Sequence, residues 1–159
     1  MKTLTIESRF AVCSIDELTD AERRLVECAR RATGHSYAPY SSFHVGAAVM
    51  LADGTIVEGS NQENASYPAG TCAERTAIFY ANSAHPDTPV TMLAVAARAG
   101  DTFTAEPVPP CGVCRQVILE TERRAGRPIR IMLCAADSIY VADGIANLLP
   151  LSFDSGYML

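Results

Sequence analysis

The chain has 159 residues, of which 48% are hydrophobic and 19% are charged, a composition typical of one globular domain. Its formal net charge of −5 argues against a broad nucleic-acid surface, because phosphate binding requires clustered lysine and arginine. No apolar run approaches the roughly 20 residues of a membrane-spanning helix, and no signal peptide is visible. We therefore expect a single domain over residues 1–159, cytoplasmic and without membrane or nucleic-acid partners.

The first third of the chain is predicted to contain an arm, a helix and a hairpin. Residues 1–13 show no clear period and are interpreted as an N-terminal arm. Thr19 and Glu22 have the spacing of a capping box, which predicts a helix that ends near Ala32. Asp53-Gly54 separates two apolar runs, and this dipeptide is a strong signal for a β-hairpin.

The rest of the chain alternates between helical and strand patterns. Helices are expected at residues 72–84, with Thr71 as the cap, and from about residue 112 to residue 124. Short apolar runs predict strands at residues 92–97, 129–135 and 139–142. This succession indicates an α/β fold, a three-layer sandwich in which a mixed sheet of about five strands is flanked by helices.

Two cysteine motifs carry most of the functional information. Cys72-Ala73-Glu74 opens the second predicted helix, and Pro110-Cys111-Gly112-Val113-Cys114 opens the third. A helix N-terminus stabilises a thiolate through its unpaired N–H groups and its dipole. Three cysteines without an obvious fourth ligand match a catalytic zinc site, which keeps one position for water. Cys72, Cys111 and Cys114 are therefore predicted to bind Zn²⁺.

The residues that follow Cys72 suggest how such a metal site would work. Glu74 is the candidate general acid/base, since a carboxylate beside a metal ligand can move protons between water and substrate. An acid in the first helical turn can also serve only the helix dipole, but the neighbouring ligand favours the catalytic interpretation. Zn²⁺ with three thiolates is negatively charged, and we predict that Arg75 compensates by donating hydrogen bonds to the sulfurs.

The combination of motifs resembles the homotetrameric zinc-dependent cytidine deaminase family. The resemblance runs from about Leu18 to Phe153 and includes residues 43–48 (FHVGAA) and 61–67 (NQENASY) as well as both cysteine motifs. It implies hydrolytic deamination of cytidine and 2′-deoxycytidine to uridine and 2′-deoxyuridine. It also implies one zinc ion per subunit and a role in pyrimidine salvage.

The same resemblance implies contacts with the nucleoside. Asn61 and Glu63 are expected to hydrogen-bond the ribose 3′-hydroxyl. Phe43 is expected to pack against the pyrimidine, and the backbone N–H of Ala73 to contact the base.

The resemblance also implies residues that act across subunits, and this chain departs from the family pattern at two places. Tyr67 and Phe153 occupy positions that reach the active sites of neighbouring subunits in a family tetramer. The arm before Thr19 is longer than the family pattern, and Pro109 stands where a small polar residue is common. These differences concern substrate preference more than chemistry.

Three alternatives remain open from the sequence. Blasticidin-type deaminases share the cysteine motifs, although the intact 61–64 block favours plain cytidine. A thiol oxidoreductase would use Cys111 and Cys114 as a redox pair and would leave Cys72 unexplained. A structural zinc module would need a fourth protein ligand.

Overall fold

The computed structural model describes residues 1–158, and its central element is a mixed β-sheet with helices on both faces. The helices are α1 (Asp20–Ala32), α2 (Ala73–Ala84) and α3 (Gly112–Ala125). The strands are β1 (Ala11–Cys13), β2 (Phe43–Leu51), β3 (Ile56–Ser60), β4 (Val90–Ala99), β5 (Thr102–Phe103), β6 (Arg130–Cys134) and β7 (Ile139–Asp143). In residues 1–158, no helix combines the length and apolarity that a membrane crossing requires.

The sheet has seven strands, so the expectation of about five was wrong. Their order is β1-β7-β6-β4-β2-β3, with β5 paired to the end of β4. Only β4 and β6 run parallel among the described pairs, and α3 forms the crossover between them. The two unpredicted strands, β1 and β5, have 3 and 2 residues, too few for an alternating pattern to be visible.

Residues 1–10 of the expected N-terminal arm lie outside the helices and strands, and residues 11–13 form strand β1. β1 pairs antiparallel with β7, and Val12 lies opposite Tyr140. The backbone N–H of Arg9 also donates a hydrogen bond to Asn147 Oδ1 at 2.9 Å. The partners of this segment are more than a hundred residues away, so local sequence carries no sign of the pairing.

Helix α1 covers one face of the sheet. The predicted capping box is confirmed, since Thr19 Oγ1 accepts from the Glu22 N–H and the Glu22 carboxylate accepts from the Thr19 N–H at 2.9 Å. Even-numbered positions of β2 such as Ala48 and Met50 face α1, as the two-residue period of a strand requires. The predicted hairpin at Asp53-Gly54 is also confirmed, joining β2 to β3.

Helices α2 and α3 cover the other face, against odd-numbered positions such as Ala47 and Val49. The chain enters α2 from β3 and α3 from the β4–β5 end. Because β3 and β4 both run antiparallel to β2, their carboxyl ends lie at the same edge of the sheet. The N-termini of α2 and α3 are therefore brought to one side of the molecule.

A glycine sets how closely α2 approaches the sheet. A Cβ added at Gly59 would lie 2.5 Å from the backbone nitrogen of Ala77 and 2.6 Å from the carbonyl oxygen of Ala73. Contacts this short with backbone atoms cannot be relieved by a side-chain rotation. Gly59 therefore allows the first turns of α2 to lie directly on β3.

We expect Gly59→Ala to lower the free energy of unfolding by about 1–3 kcal/mol, because α2 must move away from β3. Chemical denaturation of purified protein would measure the change. Gly34→Ala is the matched control, since an added Cβ there meets nothing within 4 Å. Equal stability of the two variants would contradict the close packing of α2 on β3.

Candidate metal and active site

The three predicted metal ligands lie together at the N-termini of α2 and α3. Cys72 is the N-cap of α2, Cys111 is the N-cap of α3, and Cys114 lies in the first turn of α3. The prediction that Thr71 caps α2 was wrong, because the helix begins one residue later than that cap requires. The three sulfur atoms lie within 4.8 Å of one another, and those of Cys72 and Cys111 are 3.8 Å apart.

This spacing fits one zinc ion. Three thiolates bound tetrahedrally with Zn–S bonds of about 2.3 Å have sulfurs about 3.8 Å apart. None of the three cysteines forms a disulfide. Within residues 1–158, no fourth metal-binding side chain joins the cluster, so the donor set matches an open, catalytic site.

Two of the three cysteines, Cys72 and Cys114, have thiol pKa values that are shifted in opposite directions. Hydrogen bonding by the Cys114 thiol, with help from Arg75, lowers the pKa of Cys72 to about 5. The same bond to Cys72, together with burial, raises the pKa of Cys114. Their hydrogen bond therefore favours the thiolate form of Cys72 and the protonated form of Cys114. Binding of Zn²⁺ displaces that proton, because the metal ligand is the thiolate.

Arg75 lies beside the ligand sulfurs. Its Nη2 atom is 3.7 Å from Cys72 Sγ, within hydrogen-bonding range for sulfur. A cation at this distance offsets the negative charge of a metal ion held by three thiolates. The geometry supports the predicted role of Arg75 in tuning the metal.

Glu74 points from the first turn of α2 into the same region. It is 4% exposed, and this burial raises the pKa of its carboxyl group, with the nearby charge of Cys72 acting in the same direction. A raised pKa suits a carboxylate that must accept a proton and then return it near neutral pH.

A cavity of about 650 Å³ opens beside the sulfurs of Cys72 and Cys111. This volume is in the usual range for small-molecule sites. The cavity is lined by Glu74 and by five of the six predicted substrate-contact residues: Phe43, Asn61, Glu63, Tyr67 and Ala73. Phe153 is not brought to this cavity. It is 60% exposed and stacks on Tyr157 with ring centroids 5.8 Å apart.

Hydrogen bonds connect the residues predicted to hold the sugar and the base. Asn61 Nδ2 donates to the carbonyl oxygen of Phe43 at 2.9 Å, and Asn61 Oδ1 accepts from the Val45 N–H at 2.8 Å. The Ser41 hydroxyl donates to the Glu63 carboxylate and accepts from the Phe43 N–H at 3.0 Å. The hydrogen bond from Ser41 lowers the pKa of Glu63, which favours the ionised, acceptor form.

Several residues of the cavity were not identified from the sequence. Tyr40, Ser41, Val95 and Val108 all line it. The ring of Tyr40 meets that of Tyr67 edge-on at the rim, with centroids 6.1 Å apart. Ser41 lies two residues before Phe43, and its proximity to an expected substrate contact was the one available signal.

Comparison with known proteins agrees with this geometry. The sequence model of one protein family, the cytidine and deoxycytidylate deaminase zinc-binding region, matches residues 19–126. The chain belongs to this family. The predicted family and its zinc cofactor are therefore confirmed, and the enzyme class is that of a hydrolytic deaminase.

Two individual relatives carry the name cytidine deaminase. The chain is 47% identical over 96 residues to a cytidine deaminase of Halalkalibacterium halodurans, covering 60% of this chain and 68% of the relative. It is 46% identical over 101 residues to one of Sporosarcina psychrophila, covering 64% and 69% of the two chains.

Solved structures confirm the predicted α/β sandwich. The cytidine deaminase of Burkholderia pseudomallei superposes with a TM-score of 0.69 at 36% identity, covering 86% of this chain and 100% of that one. The Mycobacterium tuberculosis enzyme superposes with a TM-score of 0.66 at 30% identity, covering 86% and 99%.

Purified protein is expected to hold one Zn²⁺ per chain, and Cys111→Ser is expected to lose it, because serine is a poor ligand for this ion. Elemental analysis after dialysis would measure the stoichiometry. Cys28→Ser is the control, since Cys28 lies on α1, outside the cluster. Full zinc occupancy in the Cys111 variant would rule out the three-sulfur site.

Proposed function

We propose that the protein catalyses the hydrolytic deamination of cytidine and 2′-deoxycytidine to uridine and 2′-deoxyuridine, as a step of pyrimidine salvage. The observation that carries this proposal is the buried Glu74 carboxylate, which lies between a three-sulfur cluster and a cavity of nucleoside size. Relatives at up to 47% identity carry the name cytidine deaminase.

We propose that Cys72, Cys111 and Cys114 hold the metal ion. When bound, Zn²⁺ supplies a Lewis acid that brings the pKa of a water molecule near neutrality. Glu74 accepts a proton from the attacking water and delivers it to ring N3 while the water oxygen bonds to C4. Glu74 then carries the remaining water proton to the amino nitrogen. The C4–N4 bond breaks with its electron pair on nitrogen, ammonia leaves, and the C4 carbonyl forms.

The other cavity residues are proposed to orient the substrate. Phe43 packs against the pyrimidine, and the Ala73 N–H, free at the start of α2, donates to the base. Glu63 accepts from the ribose 3′-hydroxyl. Asn61 Nδ2 uses one N–H on Phe43, so its second N–H is available for the same hydroxyl.

The charge of the cavity favours nucleosides over nucleotides. Its charged lining residues, among those described, are Glu63, Glu74 and Arg75, and the guanidinium of Arg75 is engaged with Cys72. A 5′-phosphate would meet carboxylates without a free cation to bind it. We therefore propose that 2′-deoxycytidine is a substrate and that its 5′-monophosphate is not.

Zinc-loaded protein is expected to convert cytidine and 2′-deoxycytidine to their uridine products, measured by chromatography. Glu74→Gln is expected to keep its zinc and to lose about 10²- to 10⁴-fold in turnover, because the proton shuttle is removed. Near-normal turnover in this variant would contradict the mechanism. Absence of product from folded, zinc-loaded wild type would favour a blasticidin-type substrate or a structural zinc module instead.

We also propose that the protein is a cytoplasmic homotetramer with shared active sites, without nucleic-acid or membrane partners. Exposed apolar residues support a subunit interface, since large apolar side chains in water are costly. Phe79 on α2 is 54% exposed, and Phe153 and Tyr157 near the C-terminus are 60% and 75% exposed. The net charge of −5 counts against a polynucleotide partner.

Shared sites predict complementation between two inactive proteins. Phe153→Ala should lose activity because each active site lacks the phenyl ring of the neighbouring subunit. Glu74→Gln should lose activity because each active site lacks the carboxylate that moves protons. Co-expressed as mixed tetramers, the two variants should regain activity, because some sites combine an intact Glu74 with an intact Phe153. Activity no higher than that of the separate variants would show that Phe153 serves no neighbouring site.

A further inference from the structure

The C-terminal segment, residues 148–154, is held by side chains of α3. Arg115 donates from Nη1 to the carbonyl oxygen of Leu148, and Gln116 Nε2 donates to that of Phe153 at 2.9 Å. Two turns further along, Arg123 forms an ion pair with the buried Asp154. The helix that supplies two metal ligands at its start is thus also the support of this segment.

Arg115 reaches the ligand loop as well. Its Nε donates to the carbonyl oxygen of the buried Pro110 at 2.8 Å, and its backbone N–H donates to that of Cys111 at 2.9 Å. The bond to Cys111 is the first backbone bond of α3, which any residue at position 115 would make. Among residues 1–158, the one side-chain hydrogen bond to the backbone of residues 105–111 comes from Arg115. One guanidinium therefore connects the ligand loop to the C-terminal segment.

The chemistry of this loop makes the contact important. Pro109 and Pro110 have no backbone N–H, so neither residue can anchor the loop by donating. Removing the guanidinium would leave the buried Pro110 carbonyl oxygen without its hydrogen bond. A cation in the first turns of a helix also opposes the helix dipole, so helix stability does not explain Arg115. Its planar fork, which presents several donors at fixed angles, matches the two carbonyls.

We propose that Arg115 is a positioning residue for the metal site. It holds the Pro110–Cys111 loop against the Leu148 carbonyl, so that metal binding at Cys111 and seating of the C-terminal segment stabilise each other. Arg115 touches neither the cavity nor the ligand sulfurs in this role, which sets it apart from Arg75.

Zinc release into excess chelator tests the proposal directly. Removing the support of a metal ligand typically costs about 10- to 100-fold in metal affinity, and we expect Arg115→Met to release zinc faster than wild type by about the same factor. Arg115→Lys should be intermediate, since one ammonium cannot span both carbonyls with the same geometry. Arg124→Met is the matched control, because Arg124 is an exposed arginine of the same helix without a hydrogen bond or ion pair within residues 1–158. Either variant, Arg115→Met or Arg115→Lys, releasing zinc at the wild-type rate would overturn the proposal.

Hydrogen exchange supplies a second readout that needs no variant. Removing zinc from wild-type protein should speed exchange at the backbone amides of residues 148–158. Unchanged exchange there would also overturn the proposal. The comparison remains decisive if Arg115→Met fails to fold, and neither experiment depends on the identity of the substrate.

Discussion

The convergence of two helix N-termini on three sulfur atoms is the constraint on which the site depends. The positive ends of α2 and α3 face the same small volume, where they would repel each other without anions between them. Cys72 and Cys111 place their sulfur atoms at the two N-cap positions, and Cys114 adds a third sulfur from the first turn of α3. A bound Zn²⁺ then joins the two helices, so the metal centre and the tertiary packing stabilise each other.

The sheet explains why the two helices meet at all. Parallel directions of β3 and β4 put the starts of α2 and α3 at one edge, in the way that open α/β sheets commonly form their ligand sites. Gly59 then permits the backbone of α2 to lie against β3, which determines the depth of Glu74 below the surface. The burial that raises the pKa of Glu74 is therefore a consequence of helix–sheet packing.

In the proposed mechanism, two residues at the start of α2, Cys72 and Glu74, need pKa shifts in opposite directions. Cys72 must remain a thiolate, and Arg75 assists it from 3.7 Å. In the proposed mechanism Glu74 must instead take up a proton, and its low-dielectric surroundings together with the Cys72 charge favour its neutral form. Because the guanidinium of Arg75 is directed at sulfur and Glu63 is held in its ionised form, no free cation remains among the described lining residues, and we therefore propose an uncharged nucleoside as the substrate.

The sequence by itself identified the three cysteines that the structure brings together, the placement of Glu74 beside them, the capping box of α1 and the β2–β3 hairpin. Each of these depends on residue types at fixed short spacings, such as Cys111 and Cys114 in one helical turn. The tertiary structure alone decided the pairing of β1 with β7, the hydrogen bond of Ser41 with Glu63, and the connection that Arg115 makes between Pro110 and Leu148. β1, Glu63 and Leu148 contact residues that are distant along the chain. Arg115 and Pro110 are five residues apart, and their hydrogen bond depends on the conformation of the proline-containing loop before α3. Such contacts are set by how the layers pack, and no local pattern records them.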